Sequence, residues 1–186
     1  MEIRRARMRV VVFIFVVCGA IAFSSSGLAA SAEEIEARPN SALKMFFEKV
    51  GPAKELSANA KGILVFPNVI NAGFGIGGEY GEGALRINGR TVDYSNTAAA
   101  SIGLQLGAQS KTVIIMFLDQ QALADFRRSD GWEAGVDGSV ALVEWGAGGF
   151  IDTTNIKDPI IGFVFGNKGL MFNLTLEGSK MSKIKK

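Results

Sequence analysis

GFGIGGEYGEG, residues 73–83, places glycine at nearly every second position of a segment that otherwise has the composition of a β-strand. Alternate residues of a strand lie on opposite faces, so most of the glycines share one face, and Phe74, Ile76 and Tyr80 share the other. The spacing also matches GxGxxG, which binds dinucleotides only where a tight turn enters a helix. More strand-like sequence follows here. The pattern therefore predicts a strand with one bare face and argues against a nucleotide site.

The same bare face recurs in later strands, where glycines alternate with large apolar residues. Glycine destabilises a strand, so its repetition indicates a close approach or a sharp bend of the sheet. Either the chain's own elements pack on this face, or it forms a groove for an extended ligand such as an acyl chain, or for a protein partner. The glycines assigned to it are Gly73, Gly75, Gly77, Gly81, Gly103 and Gly107.

Short apolar runs separated by turn signals follow from Gly62 onward, which is the pattern of an antiparallel β-domain. Pro67 predicts the end of the first strand, and Asn88-Gly89 predicts a tight hairpin turn. Val113 to Leu118 is apolar at every position, which predicts a central strand covered on both faces. The predicted fold class is α+β, with a curved antiparallel sheet that is barrel-like or sandwich-like.

Helices are predicted before and after the first strands of this sheet. Ser41 is the predicted N-cap of an amphipathic N-terminal arm, which continues beyond Gly51-Pro52 as a second short helix over 53–60. Asp119 is predicted to cap a further helix near 119–129. The apolar face of the arm would either cover the sheet or enter a membrane interface, while its lysines meet anionic headgroups. The residues assigned to lipid contact are Lys44, Phe46, Phe47, Lys49, Lys54 and Lys61.

The amino-terminal segment has the layout of a cleavable secretory signal peptide. Four arginines precede an uncharged apolar run, Val10 to Phe23, and small residues follow up to Ala32. The run is shorter than the ~20 residues of a spanning helix, and retention as an anchor is the alternative. The predicted location is the periplasm or the cell envelope. The predicted division is a signal peptide over 1–32, a flexible lead-in over 33–40, a single domain over 41–178 and a basic tail over 179–186.

Composition argues against most catalytic chemistry. The chain has no histidine, and its single cysteine, Cys18, lies in the predicted signal. The remainder would lack cysteine nucleophiles, histidine triads and Cys or His metal sites. Without four arginines and Glu2, the totals of 20 basic and 18 acidic residues become 16 and 17, a charge that does not favour nucleic acid. We therefore predict no enzyme activity, no catalytic residues, no metal, no cofactor and no nucleic-acid partner.

Two carboxylate pairs lie near glycine-rich backbone and are the candidates for acid–base chemistry. They are Glu79 with Glu82 and Asp137 with Glu144. Residues 79 and 82 have opposite parity and would face apart on a continuous strand, which argues against a hydrolase.

Three segments resemble the SYLF domain family: AKGILVFP at 60–67, AGFGIGGEYGEG at 72–83 and SIGLQLGAQS at 101–110. The similarity continues at 135–140 and 167–170, so it covers the chain beyond the amino-terminal arm. The resemblance implies a free-standing exported bacterial module that binds phosphoinositides or other anionic lipids, with an amphipathic segment that matches Ser41 to Lys61. The alternative is an envelope scaffolding protein that binds a protein partner through its glycine-rich face, as the family's actin-regulating members suggest.

Overall fold

The computed structural model describes residues 32–142, 158–166, 169–170 and 176–186, and describes the backbone alone at 32–36, 74–76, 101–108 and 169–170. These residues belong to one compact unit, Ser31–Lys186. The predicted signal peptide lies outside the described residues except for its last residue, Ala32.

Three helices and seven strands are formed by the described residues, and all the strands belong to one sheet. The helices are α1 (Ala32–Lys49), α2 (Ala53–Asn59) and α3 (Gln120–Arg128). The strands are β1 (Gly62–Ile87), β2 (Arg90–Phe117), β3 (Trp132–Glu133), β4 (Ala141–Leu142), β5 (Ile160–Gly166), β6 (Gly169–Leu170) and β7 (Lys180–Ile184). The order is β3-β7-β2-β5-β4, β1 pairs with β2 and β6 pairs with β5. Every described pair is antiparallel except β4 with β5.

β1 and β2 form a single hairpin whose strands have 26 and 28 residues. Asn88 and Gly89 connect them with φ angles of 51° and 75°. Positive φ at both central residues is the type I′ geometry that matches the twist of a hairpin, so the predicted turn is confirmed. The predicted break at Pro67 is wrong, because β1 runs through it with a register shift between Phe66 and Val69. A bulge tolerates proline because the missing N–H is not needed there.

The hairpin bends where glycines of its two strands face each other. Gly73 pairs with Gly107 and Gly75 with Gly103, so β1 has one residue between the pairs and β2 has three. We call residues 62–73 with 107–117 the stem half, and residues 75–87 with 90–103 the tip half. The tip half folds back over the stem half, so that a Cβ on Gly83 would lie 2.2 Å from the Val65 carbonyl oxygen. The predicted α+β class with a curved antiparallel sheet is confirmed.

Two apolar clusters cover the two faces of the stem half. β2 lies between β1 and β5 at Thr112–Phe117, and Val113–Phe117 is buried at every position, which confirms the predicted central strand. The inner core lies between the two halves of the hairpin and α3, and it includes Leu64, Phe66, Leu85, Ile115, Phe117, Leu123, Phe126 and Trp132. The arm core lies under α1 and α2, and it includes Ala42, Phe46, Val50, Leu56, Val65, Ile114, Met116, Phe163 and Phe165.

α3 forms as predicted. Asp119 is its N-cap and accepts a hydrogen bond of 2.9 Å from the Ala122 backbone N–H. Leu123 and Phe126 are buried in the inner core, and Arg127 and Arg128 lie in the last turn, where cations are favourable.

α1 differs from the prediction at its beginning. The helix starts at Ala32, includes the predicted lead-in over 33–40, and places Ser41 in its interior, where the Ser41 hydroxyl donates to the Ala37 carbonyl at 3.4 Å. The segment lacks an apolar stripe, but its alanines and glutamates are strong helix formers, and glutamates near the amino end suit the helix dipole. Pro39 is accommodated within the helix.

The predicted basic tail over 179–186 contains strand β7. β7 pairs with Tyr94–Ala98 of β2 and with β3, and Met181 is buried. The lysines dominate the composition of this segment, but apolar Met181 and Ile184 are enough to fix a short strand in a sheet that offers it a partner. The Lys186 ammonium lies 3.0 Å from the Glu82 carboxylate.

Candidate functional site

A cleft of about 680 Å³ lies between the helical arm and the two ends of β1. Its volume is within the usual range for small-ligand sites. Apolar and cationic side chains both line it. The apolar ones are Leu43, Phe47, Ala58, Ala60 and Ile63, and the cationic ones are Lys44, Lys54 and Arg86; Asn40 and Glu48 also contribute.

The placement of the apolar residues follows from the helix period. Ala42 and Phe46 are one turn apart on α1 and face the arm core, where both are buried. Leu43 comes directly after Ala42, and Phe47 directly after Phe46. Both therefore lie at the edge of the buried helix face and are half-buried. Ile63, at the start of β1, is half-buried in the same cleft. The cleft therefore has an apolar side that the fold leaves partly open.

The structure brings together half of the residues assigned to lipid contact. Lys44, Phe47 and Lys54 line the cleft. Lys49 and Lys61 are exposed and do not line it.

Phe46 lies in the arm core rather than in the cleft. It is fully buried, and its ring centroid is 4.7 Å from that of Phe163 and 5.5 Å from that of Phe165. In this arrangement Phe46 holds α1 on the sheet and does not meet solvent.

Arg86 is a cleft residue that the sequence analysis missed. Its guanidinium donates hydrogen bonds to the Asn40 side-chain oxygen on α1 and to the Gly89 carbonyl, the latter at 2.5 Å. It lies beside α1 because the fold-back returns the end of β1 to its beginning. Its position just before the Asn88-Gly89 turn is the only local signal, and that signal does not identify α1 as the neighbour.

The glycine-rich face is filled by the chain itself at Gly81. A Cβ on Gly81 would lie 2.8 Å from the Val69 side chain and 2.9 Å from the Asn68 carbonyl oxygen. Gly73, Gly75, Gly103 and Gly107 pair with one another at the bend, and Gly77 pairs with Ser101. Gly78 lies on the other face of the strand and is exposed. A Cβ there would have only the Ala99 carbonyl oxygen within 4 Å, at 3.7 Å.

The carboxylates of Glu79 and Glu82 are bound by different lysines. Glu79 lies 2.6 Å from the Lys111 ammonium, and Glu82 lies 3.0 Å from that of Lys186 and accepts from the Tyr80 hydroxyl at 2.9 Å. Burial, followed by the Glu82 carboxylate, raises the pKa of Tyr80. The two carboxylates do not form an acid–base pair.

The second carboxylate pair, metal sites and membrane-spanning helices can be assessed only within the described residues. Glu144, the second member of the other carboxylate pair, lies outside the described residues. Across the described ranges, no group of three or more acidic, cysteine or histidine side chains is arranged to hold a metal ion. Nor does any helix in those ranges have the length and hydrophobicity needed to cross a membrane.

The second half of the chain resembles a known domain family. Residues 98–186 match the model of Ysc84, described as a Las17-binding protein actin regulator. This part of the chain is similar to the Ysc84 (SYLF) domain family. The resemblance seen in the sequence is thereby confirmed, and a family of binding domains supports a binding role rather than catalysis. Every residue that lines the cleft precedes the matched range. No curated protein matches the chain.

Proposed function

We propose that this protein binds anionic amphiphilic lipids in the cleft between α1 and the sheet, without catalysing a reaction on them. One observation carries the proposal: half-buried Leu43, Phe47 and Ile63 share a cleft with the cations of Lys44, Lys54 and Arg86. An acyl chain gains about 0.8 kcal/mol for each buried CH₂ group, and each cation near an anionic surface adds on the order of 1 kcal/mol. A ligand with both parts matches this lining better than a purely polar or a purely apolar ligand.

Phosphate-bearing headgroups, phosphoinositides among them, fit the basic part of the cleft. Guanidinium and ammonium groups form charge-assisted hydrogen bonds with phosphate oxygens, and arginine does so through two parallel bonds. The layout of residues 1–32 supports export, so the proposed location is the periplasm or the cell envelope, where a membrane surface is available.

Lys49 and Lys61 have a different part in this proposal. Both are exposed outside the cleft, so they would attract the protein to an anionic surface without contacting the bound lipid. Such attraction falls with ionic strength, because the Debye length shortens to about 8 Å in physiological salt.

A protein partner is the second candidate, and the family description favours it, since it names an actin regulator. Ile70 and Tyr80 lie on either side of the glycine bend and are 45% and 44% exposed. A partner would meet them and exposed Gly78 on the outward side of the sheet, because Val69 and Asn68 occupy the space at Gly81.

Vesicle flotation tests the lipid proposal. The full chain, as the producing cell processes it, is mixed with neutral phosphatidylcholine vesicles or with vesicles that also contain anionic lipid, over a salt series. We expect binding to the anionic vesicles that weakens with salt. Equal binding to neutral and anionic vesicles would contradict the proposal.

Paired variants separate the cleft from general surface attraction. Replacing Lys44 and Lys54 with glutamine should weaken binding about tenfold or more, since two cations in contact with headgroups are lost. The matched control replaces Lys49 and Lys61, which carry the same charge outside the cleft. If both double variants lose binding equally, the protein adsorbs through its overall charge and the cleft has no special role.

A further inference from the structure

We infer that a smaller cavity beside the cleft, at the β1–β2 turn, is a phosphate-binding subsite. The cavity has a volume of about 310 Å³ and is lined by Asn40, Arg86, Arg90 and Thr91. Two arginines, an asparagine and a threonine thus line one space, and none of the four lining residues is acidic. This donor set matches the oxygens of a phosphate group.

Arg86 is held in position before any ligand arrives. Its two terminal nitrogens donate to Asn40 and to the Gly89 carbonyl, and a guanidinium has five N–H donors in a planar fork. The remaining donors are available to a ligand. Because both fixed partners are neutral acceptors, they orient the cation without neutralising it.

Arg90 and Thr91 complete the subsite from the other strand. Thr91 pairs directly with Arg86 across the hairpin, so the two side chains lie next to each other on the same face. Arg90 is exposed and forms no ion pair with any residue that the structure describes. The positive φ angles of Asn88 and Gly89 fix a two-residue turn, which keeps both arginines within one small region.

The subsite adjoins the lipid cleft, because Arg86 and Asn40 line both cavities. A phosphate bound here could belong to a lipid headgroup whose acyl chain occupies the cleft, or it could be a free phosphate ion. In its lipid form the inference rests on the proposed function, and in its free-phosphate form it does not. Asn40 lies on α1 and the other three residues lie on the hairpin, so an occupied subsite would join the arm to the sheet.

Thermal unfolding at constant ionic strength tests the subsite with inorganic phosphate. A ligand that binds only the folded protein raises its melting temperature, so we expect a saturable rise when phosphate replaces chloride in the full chain. Arg90→Gln is the principal variant, because Arg90 has no described partner and its loss should leave the fold intact. We expect it to weaken phosphate binding about tenfold, as the loss of a charge-assisted hydrogen bond implies.

Arg128→Gln is the control, since it removes another exposed arginine side chain, which lies on α3 and pairs with Asp125. Arg86→Gln should also weaken phosphate binding. Because this variant also removes the hydrogen bond to Asn40, its effect is compared with that of Arg90→Gln. The inference is overturned if phosphate gives no saturable rise, or if Arg90→Gln and Arg128→Gln weaken binding equally.

Vesicles distinguish the two sources of phosphate. Those containing phosphatidic acid present a phosphate monoester, and those containing oleate present a carboxylate of the same sign. If Arg90→Gln reduces binding to phosphatidic acid more than to oleate, the subsite takes a lipid headgroup; if only phosphate-ion binding falls, it takes the free ion. Vesicle binding that depends on Lys44 but not on either arginine, with no effect of phosphate, would leave the lipid proposal standing and overturn the subsite.

Discussion

The inner core and the arm core cover the two faces of the same strands in different ways. On the inner side the chain covers itself, because the tip half folds back and brings Leu85 into the same core as Leu64 and Phe66. On the other side the cover is a separate helix, α1, which carries Phe46. The inner cover is continuous with the strands that it covers, whereas the edge of α1 leaves Phe47 half-buried beside a cleft. Candidate binding residues therefore gather where the cover is a separate element.

Phe46→Ala should cause the largest loss of unfolding free energy, and it tests whether Phe46 holds α1 on the sheet. Removing a fully buried phenylalanine costs about 3–5 kcal/mol of unfolding free energy, and Phe46 contacts two rings of β5. Phe47→Ala should cost about 1 kcal/mol, because that side chain is half-buried. Urea denaturation measures both. When the two variants are compared at the same folded fraction, Phe47→Ala should weaken vesicle binding more than Phe46→Ala does. Equal losses of unfolding free energy would contradict the different roles of the two phenylalanines.

Gly83→Ala should have the next largest effect and tests the fold-back. The added Cβ would lie 2.2 Å from the Val65 carbonyl oxygen, which is backbone and cannot move aside as a side chain can. We expect a loss of about 3 kcal/mol, at the upper end for overpacking. The matched control is Gly78→Ala, where the nearest atom would be 3.7 Å away and the change should be within about 0.5 kcal/mol. Similar losses at both positions would mean that the two halves of the hairpin do not touch in solution.

Glu79→Gln should have an intermediate effect and tests the polar contact between the halves. Glu79 belongs to the tip half and Lys111 to the stem half, and their side chains are 15% and 11% exposed. Removing the carboxylate charge leaves the lysine poorly solvated, and we expect a loss of about 2 kcal/mol. Adding Lys111→Met should recover part of it, because the uncompensated charge is then gone. If the losses of the two single variants simply add in the double variant, the residues do not interact.

Asp119→Ala should have the smallest effect and concerns the end of α3 at the inner core. Losing the hydrogen bond to Ala122 removes an N-cap, which is worth about 1 kcal/mol. Asp125→Ala on the same helix removes an exposed ion pair with Arg128 and should cost at most about 0.5 kcal/mol. Thermal unfolding of the pair measures the difference, and a larger loss at Asp125 would contradict the capping role.

Features that depend on neighbouring residues could be predicted from the sequence. The turn at Asn88-Gly89, the cap at Asp119 and the strand within Val113–Leu118 are each determined by local conformation or by apolar residues on both faces. The helical start of α1 could not be predicted from apolar periodicity, because residues 33–40 have no apolar stripe and are helical through their propensity.

Features that depend on distant pairing could not be predicted in this way. Strand β7 forms because Tyr94–Ala98 offers it an edge, and Arg86 reaches α1 because the hairpin bends at two glycine pairs. The glycine pattern showed that something approaches closely, but not that the approaching element is the same strand. The sequence therefore predicts lipid contact for Lys44, Phe47 and Lys54 but not for Arg86, which contacts Asn40 of α1.

The register of the long hairpin also has a consequence for the order of folding. Gly62 pairs with Phe117, which is 55 residues away, whereas Ile87 and Arg90 pair across a two-residue turn. Loop-closure entropy favours pairing that starts at the turn and proceeds outward, so the stem half joins last. The strand segments that contribute most to the two cores are therefore the slowest to pair. Refolding should be limited by a late step in which strand pairing extends beyond the glycine bend into the stem half.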